Sequence, residues 1–187
     1  MLEAGKQEFV VLSALRPTEI YLSSTNVFTA FNETDCVILD NIGKTADYVH
    51  LPKVGQLVLV DKENCWNRAE VVEEGLANGK ILINLIDFPE LLEVEKSQLR
   101  QAPKASLEFP ILAAKCALDG FYGKEEEASK QVEKLRSLEV DFQIQEGEVL
   151  GCQDGLTRVK IPAIESKLLE QPSVKSSRAA MLKLLKK

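Results

Sequence analysis

The chain has 187 residues, of which 45% are hydrophobic and 6% aromatic, and its formal net charge is −6. This length and composition suffice for a substantial core, in one large domain or two small ones, and exclude a disordered chain. The negative charge argues against a nucleic-acid backbone as the main partner, because that affinity depends on clustered Lys and Arg. An acidic surface suits a basic peptide better, although a mildly negative charge also simply favours solubility.

Cysteine spacing and hydropathy narrow the class of protein further. The four cysteines are widely separated and the chain has a single histidine, which argues against a zinc site. No apolar run reaches the roughly 18 residues needed to cross a bilayer, and the N-terminus lacks the pattern of a signal peptide. We therefore expect an intracellular, reducing setting, no membrane contact and no metal or other cofactor, with the cysteines packing as small core residues.

The first predicted elements are a β-hairpin and a helix. Residues 8–23 carry β-branched and aromatic runs on both sides of an Arg-Pro-Thr turn, which predicts the hairpin. Ser, Thr and Asn at 24–26 can cap a helix whose apolar residues recur near helical spacing as far as Gly43, where we expect it to end. Residues 37–39, Val-Ile-Leu, would also suit a strand.

A series of short strands is predicted after Pro52. They lie near residues 57–60, 67–73, 81–86 and 91–94, with turns near 61–65, 75–79 and Pro89. Four or five short strands separated by such turns are typical of a small barrel.

The C-terminal part alternates strands and helices. Residues 124–138 predict the clearest helix, with apolar residues on one face and charged residues on the other. Around it we expect strands at 111–118, 140–145 and 156–161, a connection across Gly147 and 154–155, and helices at 164–170 and 177–187.

Neither flank of the chain can bury its apolar faces alone. The economical arrangement joins the two flanks into one barrel, with the block from Val54 to Leu99 inserted between them. The predicted fold is therefore mainly β with helices, of the α+β class. Its predicted parts are residues 1–52, the inserted barrel 53–101, residues 102–172, and a helical tail or linker at 173–187.

Two groups of motifs occur in order along the chain. The first consists of Gly55, CWNRA at 65–69, LIDFPE at 85–90 and Leu99. The second consists of Pro110, Ala113, Cys116, Leu118 and Gly120. Together they resemble the extended Tudor domain, in which a Tudor barrel is inserted into a split staphylococcal-nuclease-like domain with an OB fold. The resemblance covers about residues 9–170 and implies that fold.

The ligand box of that family, which holds an arginine side chain among aromatic rings, is mostly non-aromatic in this chain. The resemblance assigns the box to Asp61 or, shifted by one, Lys62, and to Asn67, Leu85 and Phe88. Only Phe88 has a ring, and Glu90 stands where the family has an Asn that binds the guanidinium. Each ring facing a cation is worth about 0.5–2 kcal/mol, so the loss of three of four argues against a methylarginine cage. Together with Asp87, these are the candidate peptide-binding residues.

The resemblance also implies a function. Extended Tudor domains are non-catalytic modules that dock the arginine-rich N-terminal tail of a Piwi-class Argonaute, in scaffolds of the piRNA pathway that lie in cytoplasmic, perinuclear germ granules (nuage). Because Asp61 and Glu90 are carboxylates at box positions, we expect a preference for unmethylated arginine, or indifference to methylation.

Three other functions compete with this one. Catalysis by the nuclease-like part is not expected, because acids and arginines are dispersed and no catalytic residue is identified. An OB-like barrel could bind single-stranded RNA, but the low aromatic content and negative charge disfavour it. A third hypothesis is an unused box, in which the domain binds another protein through a different face or self-associates.

Overall fold

The computed structural model describes residues 2–153 and 155–170, and within them the chain forms ten strands and six α-helices. The strands are β1 (Gly5–Arg16), β2 (Glu19–Ser24), β3 (Leu57–Lys62), β4 (Cys65–Glu73), β5 (Ile81–Leu85), β6 (Leu91–Val94), β7 (Leu99–Gln101), β8 (Ala114–Leu118), β9 (Ile144–Gln153) and β10 (Leu156–Lys160). The helices are α1 (Thr25–Ala30), α2 (Cys36–Thr45), α3 (Lys104–Leu107), α4 (Glu125–Ser129), α5 (Val132–Arg136) and α6 (Pro162–Leu169). The predicted helix at 177–187 lies outside the described residues.

Five strands from both ends of the chain close into one barrel, in the order β1-β2-β8-β10-β9. The predicted hairpin forms two of its walls, and β8 runs parallel to β10. Apolar side chains of alternating residues fill the interior, as side-chain alternation in strands requires. They include Phe9, Val11, Ile20, Leu22, Leu118, Val159 and Ile161. We call these five strands the closed barrel.

The strands between β2 and β8 form a separate antiparallel sheet, in the order β6-β5-β4-β3-β7. This second sheet has a core of its own, which includes Val58, Val60, Ala69, Ile83, Leu85 and Leu99. The predicted fold class, mainly β with helices, is therefore confirmed. The short strand β7 was not predicted from the sequence.

The helical run after the hairpin differs in detail from the prediction. α1, a π-helical turn (Phe31–Asp35) and α2 follow one another without a break, so the strand alternative for 37–39 is wrong. Gly43 does not end the helix, which continues to Thr45. Its role is steric, because a Cβ there would lie 2.1 Å from Cδ2 of Trp66.

The region after β8 contains the main errors of prediction. The helix expected at 124–138 is two short helices, α4 and α5, with an interruption at 130–131. Residues 140–143 are not a strand, because Phe142 has a left-handed φ of 59°. Gly147, expected in a connection, lies inside β9, where a Cβ would meet the carbonyl oxygen of Lys160 at 2.6 Å. The strand expected from 111 begins only at Ala114.

Candidate functional site

The hairpin formed by β3 and β4 presents two faces with different surroundings. Val60 belongs to the core of the second sheet, whereas Leu59 packs in a cluster with α2 and the closed barrel. Because side chains alternate along a strand, Lys62 lies on the Val60 side and Asp61 on the Leu59 side. Asn67, which pairs with Val60, shares the face of Lys62. Lys62 and Asn67 thus share one face of the hairpin, and Asp61 lies on the other.

A charged pair spans the open end of the second sheet. Nζ of Lys62 donates a hydrogen bond to Oε2 of Glu90, and the two side chains are 34% and 44% exposed. The backbone at Glu90 is fixed, because its carbonyl oxygen accepts a hydrogen bond of 2.9 Å from the N–H of Leu85. Asn67 Nδ2 donates to the carbonyl of Cys65 at 2.8 Å. We call Lys62, Asn67 and Glu90 the mouth; it contains one cation, one anion and one amide.

Leu85 and Asp87 do not reach the surface, contrary to their predicted role as peptide contacts. Each residue is 2% exposed. Leu85 packs in the core of the second sheet. Asp87 accepts two hydrogen bonds from Arg68, with Nε to Oδ2 at 2.8 Å and Nη2 to Oδ1 at 2.6 Å, and a third from the N–H of Leu112 at 3.1 Å. Its acceptor capacity is used within the fold.

Arg68 connects the second sheet to the segment that leads back into the closed barrel. Besides Asp87, it donates to the carbonyl oxygens of Ser106, Phe109 and Pro110 at 3.2, 2.8 and 2.8 Å. Charge-assisted bonds to buried partners are the strong class of hydrogen bond. We call Arg68, Asp87 and these three carbonyl groups the junction, and its task is structural.

Asp61 lies on the opposite side of the hairpin from the mouth. It borders an open depression of about 410 Å³ together with Trp66 and Arg100. The Arg100 guanidinium carbon stands 3.5 Å from the ring centre of Tyr48 and 5.5 Å from that of Trp66, so a cation of the chain itself occupies these rings. The structure thus places Asp61 and Lys62 on different faces of the hairpin, and the assignment of either residue to the box stays a prediction.

Phe88, the one aromatic residue among the predicted box positions, packs towards the closed barrel, in the cluster of Val10 and Leu12. Its ring meets Phe31 edge-on, with centroids 5.8 Å apart and planes at 75°. It also meets Phe142 at 6.5 Å and 42°. Sequence reasoning missed Phe142, which is 62% exposed, because it assigned the residue to a strand. An aromatic residue flanked by Asp and Gln was the available signal.

In residues 2–153 and 155–170, no three His, Cys, Asp or Glu side chains are grouped so that they could hold a metal ion. The helices described there are all too short or too polar to cross a membrane.

Solved extended Tudor domains share this fold. The extended Tudor domain of human TDRD1, in complex with a symmetrically dimethylated peptide, is 18% identical with a TM-score of 0.71, over 86% of this chain and 81% of that one. Domain TD3 of mouse TDRD1, in complex with a MILI peptide containing dimethylarginine, is 16% identical with a TM-score of 0.67, over 86% and 84%. Tudor in complex with a methylated Aubergine is 19% identical with a TM-score of 0.71, over 88% and 99%.

The sequence itself also matches a family. No curated protein matches the chain significantly. The family model of the Tudor domain matches residues 3–120, which is more than half of the chain. The matched region contains the whole second sheet, the mouth and the junction. The chain therefore belongs to the Tudor-domain family and has the fold of an extended Tudor domain.

Proposed function

We propose that this domain is a non-catalytic protein-interaction module that binds an arginine-rich peptide, the N-terminal tail of a Piwi-class Argonaute, without requiring arginine methylation. Structures of the same fold contain a MILI peptide with dimethylarginine and a methylated Aubergine, which supports the class of partner. A scaffold role in the piRNA pathway, in perinuclear germ granules, belongs to the same proposal.

The observation that carries the proposal is the chemistry of the mouth. A cage for methylated arginine gains its affinity from ring faces, and Lys62, Asn67 and Glu90 offer none. A carboxylate instead accepts N–H donors, and methylation removes donors from the guanidinium. Glu90 is 44% exposed on its side chain and is held at Oε2 by Lys62, so its other oxygen is the acceptor that we assign to the peptide.

The described arginines favour a peptide over single-stranded RNA as the partner. RNA binding needs a groove of exchangeable cations. Arg16, Arg68, Arg136 and Arg158 are each paired with a carboxylate of the chain, and Arg100 stacks on Tyr48. Filter binding with a salt titration tests this point, and salt-sensitive affinity for single-stranded RNA would contradict it.

Calorimetry with one arginine-rich peptide, unmodified and symmetrically dimethylated, tests the proposal directly. We expect the unmodified peptide to bind at least as tightly, because methyl groups remove N–H donors and meet no rings at the mouth. Clearly tighter binding of the dimethylated peptide would contradict the proposal.

Single substitutions at the mouth then locate the site. Glu90→Gln should weaken binding of the unmodified peptide several-fold, because a charge-assisted bond is lost. Lys62→Gln should leave binding unchanged or strengthen it, because a competing cation is removed. Glu126→Gln and Lys130→Gln are matched controls, since these residues form an exposed ion pair of 2.8 Å elsewhere in the fold. Equal changes of peptide affinity in the mouth and control variants would mean that the peptide binds elsewhere on the domain.

A further inference from the structure

The turn between β4 and β5 contains an Asn-Gly step, Asn78–Gly79. Asn78 is the only Asn of the chain that is followed by Gly. Both residues are exposed at the tip of the turn. Gly79 has a φ of 78°, which favours glycine, and a Cβ there would meet no atom within 4 Å. The turn therefore places an unhindered backbone nitrogen directly after an exposed Asn side chain.

An Asn-Gly step can deamidate without an enzyme, because Asn is a thermolabile residue. The backbone nitrogen of Gly79 attacks Cγ of Asn78, the new N–C bond closes a succinimide ring, and the bond from Cγ to Nδ2 breaks. The side-chain nitrogen leaves as ammonia, which takes up the proton of the Gly79 N–H. Water then opens the ring at either carbonyl group and gives aspartate or isoaspartate. The reaction consumes only water, to which the exposed turn has access.

Four hydrogen bonds hold this turn in the folded domain. The N–H of Gly79, which must lose its proton, donates to the carbonyl of Leu76 at 2.7 Å, and the N–H of Leu76 donates to the carbonyl of Lys80 at 3.0 Å. Oδ1 of Asn78 accepts a hydrogen bond of 3.0 Å from the N–H of Lys80. Nδ2 of Asn78 donates to Oε2 of Glu93 at 3.0 Å. The attacking nitrogen and both ends of the amide are engaged, so the turn has to open before the ring can close.

Glu93 restrains the amide from outside the turn. It lies in β6, the end strand of the second sheet. The bond from Lys80 to Oδ1 polarises Cγ and favours attack, whereas the bond to Glu93 fixes the leaving nitrogen and opposes it. We propose that Asn78 is a site of self-modification by deamidation and that Glu93 restrains the reaction. The inference is independent of the proposed function, because the site lies at the end of the β5–β6 pair opposite the mouth.

Deamidation changes the contact between the turn and β6. The product has a carboxylate in place of the Nδ2 donor, so two negative charges would stand where a hydrogen bond of 3.0 Å joins Asn78 to Glu93. Like charges directly opposite each other are destabilising. Isoaspartate also lengthens the backbone within a turn that the Gly79 hydrogen bond closes. We therefore expect the modified turn to detach from β6.

Incubation of the domain in mildly alkaline buffer, followed by tryptic mass spectrometry, measures the conversion. The same chain unfolded in urea gives the rate of the open turn. We expect Asn78 to be the modified residue and to convert at least about twofold more slowly in the folded domain, because a hydrogen bond must first be broken. Asn64, which is exposed in the β3–β4 turn but is followed by Cys65, is the internal control and should stay unmodified.

Variants of Glu93 test the restraint. Folded Glu93→Ala should convert about two- to tenfold faster than the folded wild type, the range for loss of one hydrogen bond, and at the wild-type rate in urea. Glu93→Gln keeps an oxygen acceptor for Nδ2 and should have an intermediate rate. Glu127→Ala removes an exposed carboxylate of α4 and is the matched control, with the wild-type rate expected. Equal rates in folded wild type and folded Glu93→Ala, or conversion of Asn64 as fast as that of Asn78, would overturn the inference.

Asn78→Asp imitates one product of the reaction. We expect it to unfold at a lower temperature than the wild type, because its carboxylate faces Glu93. Addition of Glu93→Gln to this variant should restore the unfolding temperature in part, because an amide can donate to the new carboxylate. An unfolding temperature of Asn78→Asp equal to that of the wild type would contradict the expected detachment of the turn.

Discussion

Two ion pairs join the same parts of the second sheet and differ in almost every other respect. Arg68–Asp87 and Lys62–Glu90 each connect the β3–β4 hairpin to the segment after β5. The side chains of the first pair are 2% and 3% exposed, and Arg68 also meets three carbonyl groups. Those of the second are 34% and 44% exposed.

We infer from this difference that the buried pair stabilises the fold and that the exposed pair is available to a ligand. Removal of one member of a buried ion pair strongly destabilises the fold, because the remaining charge has neither water nor a counter-ion. An exposed pair contributes little, and water or a ligand can replace either member. The alternation of side chains along β4 puts Arg68 at the junction and Asn67 at the mouth, so two neighbouring residues lie in the two sites.

The largest effect is expected at the junction. Arg68→Ala leaves Asp87 charged and unpaired and removes the donor of three carbonyl groups, which should lower the free energy of unfolding by about 3–5 kcal/mol. Urea denaturation measures it. Arg136→Ala, which breaks a surface pair with Glu133, is the control and should cost less than about 1 kcal/mol. Equal losses in the two variants would remove the distinction between the junction and the surface.

A second prediction concerns the packing of α2 on the same face as the junction. In an open helix, Gly→Ala stabilises by about 1 kcal/mol. In Gly43→Ala the added Cβ would stand 2.1 Å from Trp66, so we expect a loss of about 1–3 kcal/mol instead. Thermal unfolding measures it, with Asn41→Ala on the exposed side of α2 as the control, where stability should stay the same or rise slightly. A higher stability of Gly43→Ala would mean that Trp66 can move to accommodate the added Cβ.

Glu19 in the closed barrel is an intermediate case between the two pairs. Burial raises the pKa of its carboxyl group, but hydrogen bonds from Lys115, Arg16 and Tyr21 outweigh this and lower the pKa to about 2. The folded pKa lies below the unfolded value of about 4.3, so the stabilisation is complete above the unfolded pKa and is lost as the pH falls through about 2.

Glu19→Gln should therefore lower the free energy of unfolding at pH 7 by about 1–2 kcal/mol, in the range for hydrogen bonds to a charged group. The difference from the wild type should shrink as the pH falls from about 4 to about 2. Urea denaturation at several pH values measures it, with Glu133→Gln as the exposed control. A difference that does not change with pH would mean that shape and not charge matters at this position.

The sequence was sufficient for the elements that have a local pattern. The alternation of apolar residues gives β3 to β6 within a few residues, and the motif group around CWNRA and LIDFPE gives the fold class. The turn before β9 has no such pattern, because hydrogen bonds between Val11 of β1 and residues 142 and 143 hold it. The interruption between α4 and α5 has no local sequence pattern either.

The site was less predictable, for two physical reasons. A shift of one residue in a strand moves a side chain to the other face, so the choice between Asp61 and Lys62 depends on the pairing of β3 with β4. Phe88 and Phe142 meet through the packing of the second sheet on the closed barrel, and sequence periodicity carries no information about such distant contacts.

The smallest expected change in the free energy of unfolding is at the mouth. Lys62→Gln and Glu90→Gln should each change the free energy of unfolding by less than about 0.5–1 kcal/mol, and a double-mutant cycle should give a coupling energy of about 0.2–1 kcal/mol. Urea denaturation of the two single variants and the double variant measures both quantities. A coupling energy of several kcal/mol would make the mouth a second junction. A small one, combined with a several-fold loss of peptide affinity in Glu90→Gln, means that the charge at position 90 serves a ligand and not the fold.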